Sequence, residues 1–167
     1  LMPWVIPDTD QMLVMRYSYL NQAAGLWLFS LDESKPVQIL IEDYEAEFAV
    51  VGAREGLLYL NTTWGAENGR ILSIPLQSPE VEHWREVVTA RSAPIARPFP
   101  GIRDNRCCLC GDSLLLTYMN DAKHQLLVFD LNGQELGETS FSGPSTVIGV
   151  RPCSESQYVL SVTSFLK

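Results

Sequence analysis

What most constrains this chain is an order of short strands that recurs along it. Met12 to Tyr17, Leu57 to Leu60 and Leu114 to Tyr118 are apolar and rich in β-favouring residues, and each runs into a polar loop, at 21–25, 63–69 and 120–124. A second apolar strand follows each loop: Leu26 to Leu31, Ile71 to Leu76 and Leu126 to Leu131. A short turn then leads to a third strand of mixed character, Val37 to Ile41, Trp84 to Val88 and Glu135 to Phe141. One more strand precedes the later units, at Phe48 to Val51, Arg106 to Leu109 and Thr146 to Val150. Asn132-Gly133 predicts a tight hairpin, because both residue types tolerate positive φ.

The repeat has a measurable period. Leu31, Leu76 and Leu131 end the middle strands and lie 45 and 55 residues apart; the extra ten fall at a proline-rich stretch, residues 92–100. About four strands every 45 residues is the signature of a β-propeller blade, whereas helical repeats need a 3.6-residue periodicity that is missing here. The expected fold is therefore all-β, with about three and a half blades of four-stranded antiparallel sheet at residues 1–42, 43–91, 103–142 and 143–167. A propeller closes only with about four to eight blades. The chain is thus expected to be a segment of a longer protein, an expectation its start at Leu1 supports, or to have its open sheets covered by something else.

Charge and composition exclude several functions. Twenty acidic residues against 12 basic ones, a net charge of -8, offer nothing for a phosphate backbone to hold, so no nucleic-acid partner is expected. No window approaches about 18 uninterrupted apolar residues, and the N-terminus lacks the basic, apolar, small-residue order of a signal peptide. A soluble, cytoplasmic chain without membrane contact is expected. Cys107, Cys108, Cys110 and Cys153 are too few and too uneven for a disulfide framework. In an extended strand Cys108 and Cys110 face one side and Cys107 the other, with no histidine close in sequence, so neither a metal site nor another cofactor is expected.

Several stretches carry a resemblance to a known family. The run Ile41-Glu42-Asp43-Tyr44-Glu45-Ala46-Glu47-Phe48 comes first, then Asn68-Gly69-Arg70-Ile71-Leu72-Ser73-Ile74 with Pro79-Glu80 and Trp84 after it. Leu126 to Leu131 and Thr163-Ser164-Phe165 follow in the same order. From about Val14 to Phe165 the chain resembles the propeller of the prolyl oligopeptidase (prolyl endopeptidase) family, departing at Pro94 to Pro100, where its loop is longer. The resemblance implies a cytosolic serine peptidase that cleaves short peptides after proline. In that family a seven-bladed propeller caps an α/β-hydrolase domain, excludes large folded proteins and shapes the cavity above the active site. The implied partners are the peptide substrate, the hydrolase domain and the remaining blades.

The chain has no Gly-x-Ser-x-Gly elbow for a Ser/Asp/His triad, so no catalytic residue is expected in it and it should be inactive alone. His83 and His124 lie beside turns among polar residues and are expected to be surface histidines. The resemblance implies one substrate-binding residue: Asn68-Gly69-Arg70-Ile71 occupies the place of a motif whose arginine points toward the cavity and can contact peptide. A guanidinium there can donate to peptide carbonyls; the plain alternative is an arginine paired with a carboxylate or solvent. Where family members often carry cysteine three residues later, this chain has Ser73, which puts thiol-dependent behaviour in doubt. Glu42, Asp43, Glu45 and Glu47 are expected to form a solvated rim, and Trp4, Trp27, Trp64 and Trp84 to pack blades or loops. Ser164 has no neighbouring base. A reading of a different class is a non-catalytic propeller scaffold that binds protein or peptide on its open face.

Overall fold

A computed structural model describes residues 1–18, 23–32, 35–42, 46–96, 106–121, 123–139, 141 and 143–164. Among the described residues fourteen strands follow one another in chain order. β1 (Met2–Val5), β2 (Gln11–Ser18), β3 (Ala23–Ser30) and β4 (Gln38–Ile41) form the first antiparallel sheet. β5 (Phe48–Arg54), β6 (Leu57–Thr62), β7 (Arg70–Pro75) and β8 (Arg85–Val88) form the second. β9 (Cys107–Cys110), β10 (Ser113–Asn120), β11 (Lys123–Asp130) and β12 (Glu135–Thr139) form the third, and β13 (Ser145–Pro152) pairs with β14 (Tyr158–Ser164) in a two-stranded fourth. Each is a simple meander, and three four-stranded sheets with one two-stranded sheet amount to three and a half propeller blades.

The apolar runs of the second and third sheets are continuous because their middle strands are covered on both faces. Successive side chains of a strand alternate sides. Leu58 and Leu60 of β6 enter the seam with the first sheet, where they meet Leu13, Leu26 and Leu28, while Tyr59 enters the seam with the third. Leu114, Leu116 and Tyr118 of β10 fill that second seam, and Leu115 joins Cys108, Cys110, Leu126 and Val150 in a seam between the third and fourth sheets. Each fully buried leucine of this kind contributes roughly 1.5–3 kcal/mol through removal of apolar surface from water. The three buried thiols divide as the alternation requires, Cys107 to one seam and Cys108 with Cys110 to the next.

The outer strands read as mixed because their pairing is irregular. In each four-stranded sheet the register between third and fourth strand slips by one residue, at Leu26/Trp27, Ile71/Leu72 and Val128/Phe129. Such bulges bend the outer strand and break strict alternation. The strand expected from Trp84 begins at Arg85, since a short 3-10 turn, Val81–His83, precedes it and Trp84 closes that turn.

The hairpin at Asn132-Gly133 exists, but by a different turn from the one expected. Only Gly133 has positive φ, 86°. The Asp130 carboxylate accepts from the backbone N–H groups of Asn132 (2.9 Å) and Gln134 (2.8 Å), and Gly133 N–H donates to Asp130 C=O at 3.1 Å. That arrangement matches a type I turn closed by a left-handed residue, which needs one permissive residue rather than two. A Cβ at Gly133 would also collide with the Val87 carbonyl of the neighbouring sheet.

Within the proline-rich stretch, Pro94 to Ala96 run alongside β10. Ile95 bridges to Tyr118, Met119 N–H donates to Pro94 C=O at 2.9 Å, and Ala96 N–H donates to Thr117 C=O at 2.7 Å. Thr117 N–H then donates to Arg106 C=O at 3.2 Å. One residue of β10 therefore anchors both the departure and the return of the chain, and residues 97–105 lie outside the described residues.

Candidate functional site

The loop before β7 is held on two sides. Thr62 Oγ1 donates to Glu47 C=O at 2.7 Å, and Glu47 N–H donates to Thr63 Oγ1 at 2.9 Å, tying the loop to the linker between the first and second sheets. On the other side the Asn68 amide donates to the carbonyls of Arg91 (2.8 Å) and Ser92 (3.0 Å), and Ile95 N–H donates to Asn68 C=O at 2.8 Å. The asparagine of the motif thus fastens the connector between the second and third sheets, and Arg70 starts β7 from a fixed point opposite Thr62.

Arg70 Nη1 donates to Glu86 Oε2 at 2.9 Å, with the two side chains 24% and 36% exposed. Its Nε–H is buried and has no hydrogen-bond acceptor among the described residues. Gly65, at φ 65°, leaves room for the other end of the fork, because a Cβ there would sit 3.0 Å from Arg70 Nη2. Trp64 stands edge-on to Trp84 (ring centroids 5.6 Å apart), and Trp84 Nε1 donates to Pro79 C=O at 2.8 Å, closing the apolar side. The result is a partly exposed guanidinium with one nitrogen engaged by a carboxylate and donors left over. Chemically it can bind an oxygen acceptor; it holds no nucleophile. Sequence reasoning named Arg70 and allowed a carboxylate partner, but identified neither Glu86 nor Gly65.

Ser73 does not join this site. Alternation along β7 puts Arg70 on the face of Leu72 and Ile74, while Ser73, itself buried, lies on the opposite face with Ile71. The expectation of two surface histidines holds for His83, which is exposed and 3.3 Å from Glu80. It fails for His124, which is only 4% exposed. His124 shares the parity of Leu126, so β11 turns it into the seam with the fourth sheet, where Val147 N–H donates to its Nδ1 at 2.9 Å. Burial pushes the Cys108 thiol up to about 12, helped by the neighbouring Cys107 and Cys110, and raises Cys110 as well. Trp4, Trp64 and Trp84 pack on the first seam, while Trp27 carries Arg16 4.5 Å above its ring. Ser164 Oγ donates to Pro144 C=O. Of the carboxylate run, Asp43 and Glu45 lie outside the described residues, as does Phe165.

Two open grooves flank these elements. One, about 400 Å³, runs between β4 and the turn at Pro79, Glu80, Val81 and Glu82; the other, about 270 Å³, lies by Lys123, His124, Glu138 and Pro144. Arg70 lines neither. No helix among the described residues is long and apolar enough to cross a membrane.

Comparison with known proteins agrees with this architecture. The prolyl endopeptidases of Elizabethkingia miricola and Elizabethkingia meningoseptica are 24% and 23% identical over 144 residues, which is 86% of this chain and 19% of each relative. The chain therefore spans about a fifth of the length of these curated relatives. A solved prolyl endopeptidase, from work on inter-domain dynamics in two such enzymes, superposes with a TM-score of 0.81 at 22% identity, covering 98% of this chain and 23% of that one. Prolyl oligopeptidase B from Galerina marginata gives 0.80 at 14% identity, covering 98% and 22%. The family model described as prolyl oligopeptidase, N-terminal beta-propeller domain, matches residues 7–167. With that match over nearly the whole chain and blades of the same shape, the chain belongs to the prolyl oligopeptidase family, in its N-terminal β-propeller domain.

Proposed function

We propose that this chain forms part of the propeller of a serine peptidase that hydrolyses short peptides after proline, and that it walls and gates the cavity through which peptides reach the catalytic centre. The observation that carries this reading is the family match over residues 7–167. The triad belongs to an α/β-hydrolase domain outside this chain, and the remaining blades complete the ring; both are intramolecular partners in a cytoplasmic enzyme. Within the chain Arg70 contacts peptide carbonyls. Its partial exposure supports that role, since the carboxylate engages only Nη1 and the rest of a five-donor guanidinium can donate to a carbonyl.

The test is hydrolysis by the full-length gene product that carries this segment. Cleavage is expected after proline in a short fluorogenic peptide, to be lost when alanine replaces that proline, and to be absent when the same sequence sits within a folded protein domain. Equal cleavage of the alanine peptide overturns the specificity, and equal cleavage of the folded domain overturns the gating.

A further inference from the structure

We infer that Glu86 sets the charge selectivity of the Arg70 site, cancelling the guanidinium charge so that the site takes uncharged peptide carbonyls and amides rather than carboxylates. This rests on the proposal that Arg70 contacts peptide. A lone arginine is a poor discriminator of this kind: its fork prefers a carboxylate to a neutral carbonyl, because charge-assisted hydrogen bonds are about twice as strong as neutral ones. An unpaired Arg70 would therefore hold acidic peptides and release neutral ones quickly.

The structure supplies the correction. Glu86 Oε2 lies 2.9 Å from Nη1 and engages one end of the fork only, while the Arg70 side chain stays 24% exposed. The pair has a net charge of zero but keeps unused donors, which is what a neutral acceptor needs. Geometry holds Glu86 there. The slip in register at Ile71/Leu72 puts Glu86 opposite Leu72, on the face that Arg70 shares, whereas regular pairing from Ile71↔Val88 would put Val87 at that point. Gly65 borders the other end of the fork, where any side chain would crowd Nη2 at 3.0 Å. Glu86 is thus a positioning and specificity residue acting through Arg70.

The experiment uses the full-length gene product and pairs of proline peptides that differ only by Gln or Glu at each of the three positions before proline. For the native protein kcat/KM is expected to favour Gln or to be equal within about twofold, with little salt dependence, because a neutral site has little field to screen. Glu86→Gln is expected to shift the Gln/Glu ratio toward Glu by about tenfold or more at one position, through KM with kcat unchanged, corresponding to about 1.4 kcal/mol. Glu86→Asp should restore the native ratio, and Arg70→Ala combined with Glu86→Gln should abolish the shift. An unchanged ratio in Glu86→Gln, with Arg70→Ala still raising KM for both peptides, overturns this inference and leaves the peptide-contact reading standing. If Arg70→Ala leaves every KM unchanged, the contact reading itself fails. The native salt series keeps the test independent of variant folding: a native preference for Glu that fades as salt rises overturns the inference without any substitution.

Discussion

Replacing His124 with leucine isolates a polar link between the third and fourth sheets. The two side chains are similar in volume and the site is buried, so little cavity or strain is introduced. What changes is the acceptor. Val147 N–H, on a residue with no solvent exposure, donates to Nδ1 at 2.9 Å, and leucine removes that acceptor. A buried backbone donor left unmet costs about 1–3 kcal/mol, which corresponds to about 5- to 150-fold in an opening equilibrium. Amide hydrogen exchange followed by mass spectrometry or NMR reads this locally. Exchange at Val147 should accelerate by that factor in His124→Leu, while amides of the first seam, such as Leu58 and Leu60, change little. Glutamine offers a carbonyl acceptor and should recover part of the protection. Unchanged protection at Val147 in His124→Leu would refute the reasoning, because the link would then contribute nothing to the seam.

Three further outcomes follow from the seams. Burial holds the Tyr118 hydroxyl up to about 12, with Arg91 opposing, and that hydroxyl has no hydrogen-bond partner among the described residues. Its raised value means a contribution present below the ordinary tyrosine value of 10.0 and lost as pH rises toward about 12. Tyr118→Phe should flatten stability in that alkaline window and be neutral or stabilising by up to about 1 kcal/mol at pH 7; a loss of more than about 1 kcal/mol in urea unfolding would contradict this. Gly133→Ala should cost more than about 3 kcal/mol, since its φ of 86° alone costs about 1–3 and the new Cβ would overlap Val87 C=O, whereas Gly137→Ala, with open space around it, should stay within about 0.5 kcal/mol. In native protein at pH 8, iodoacetamide should label the exposed Cys153 and spare Cys108, whose thiol burial holds up to about 12; equal labelling rates would show that the third seam is open.

The strands were legible because their signals are local and repeated. A β-favouring run, a polar loop and a second run recur three times, and even identical neighbours, Cys107 and Cys108, fall into separate seams by simple alternation. Misreadings arose where tertiary context decides. His124 was read by its polar neighbours, although its parity with Leu126 already marked the face that the fourth sheet covers. The mixed strand expected from Trp84 starts one residue late, because the indole N–H of Trp84 finds the Pro79 carbonyl and its ring meets Trp64, which keeps it at the end of a turn. Arg70 itself came from a motif. Its partner could not be chosen from the sequence, because a one-residue slip decides whether Val87 or Glu86 lies opposite Leu72, and nothing in the composition of β8 announces the slip.

The polar links between sheets have a different task from the apolar seams. Arg54, at the end of β5, pairs with Asp112 at 2.6 Å and with Glu155 at 3.1 Å, so one guanidinium joins turns of three consecutive sheets. Both carboxylates are largely exposed, at 74% and 80%, and ion pairs in such surroundings add little net stability and are screened by salt. Stability must therefore come from the leucine, isoleucine and aromatic side chains between the sheets. Apolar burial is non-directional, however, whereas a hydrogen bond weakens steeply when its angle is lost. A fork fixed to two carboxylates, an imidazole fixed to one backbone N–H and an asparagine amide fixed to two carbonyls are directional contacts of this kind. These links fix how far each blade is set against its neighbour, and the position of Arg70 relative to the rest of the propeller depends on that setting.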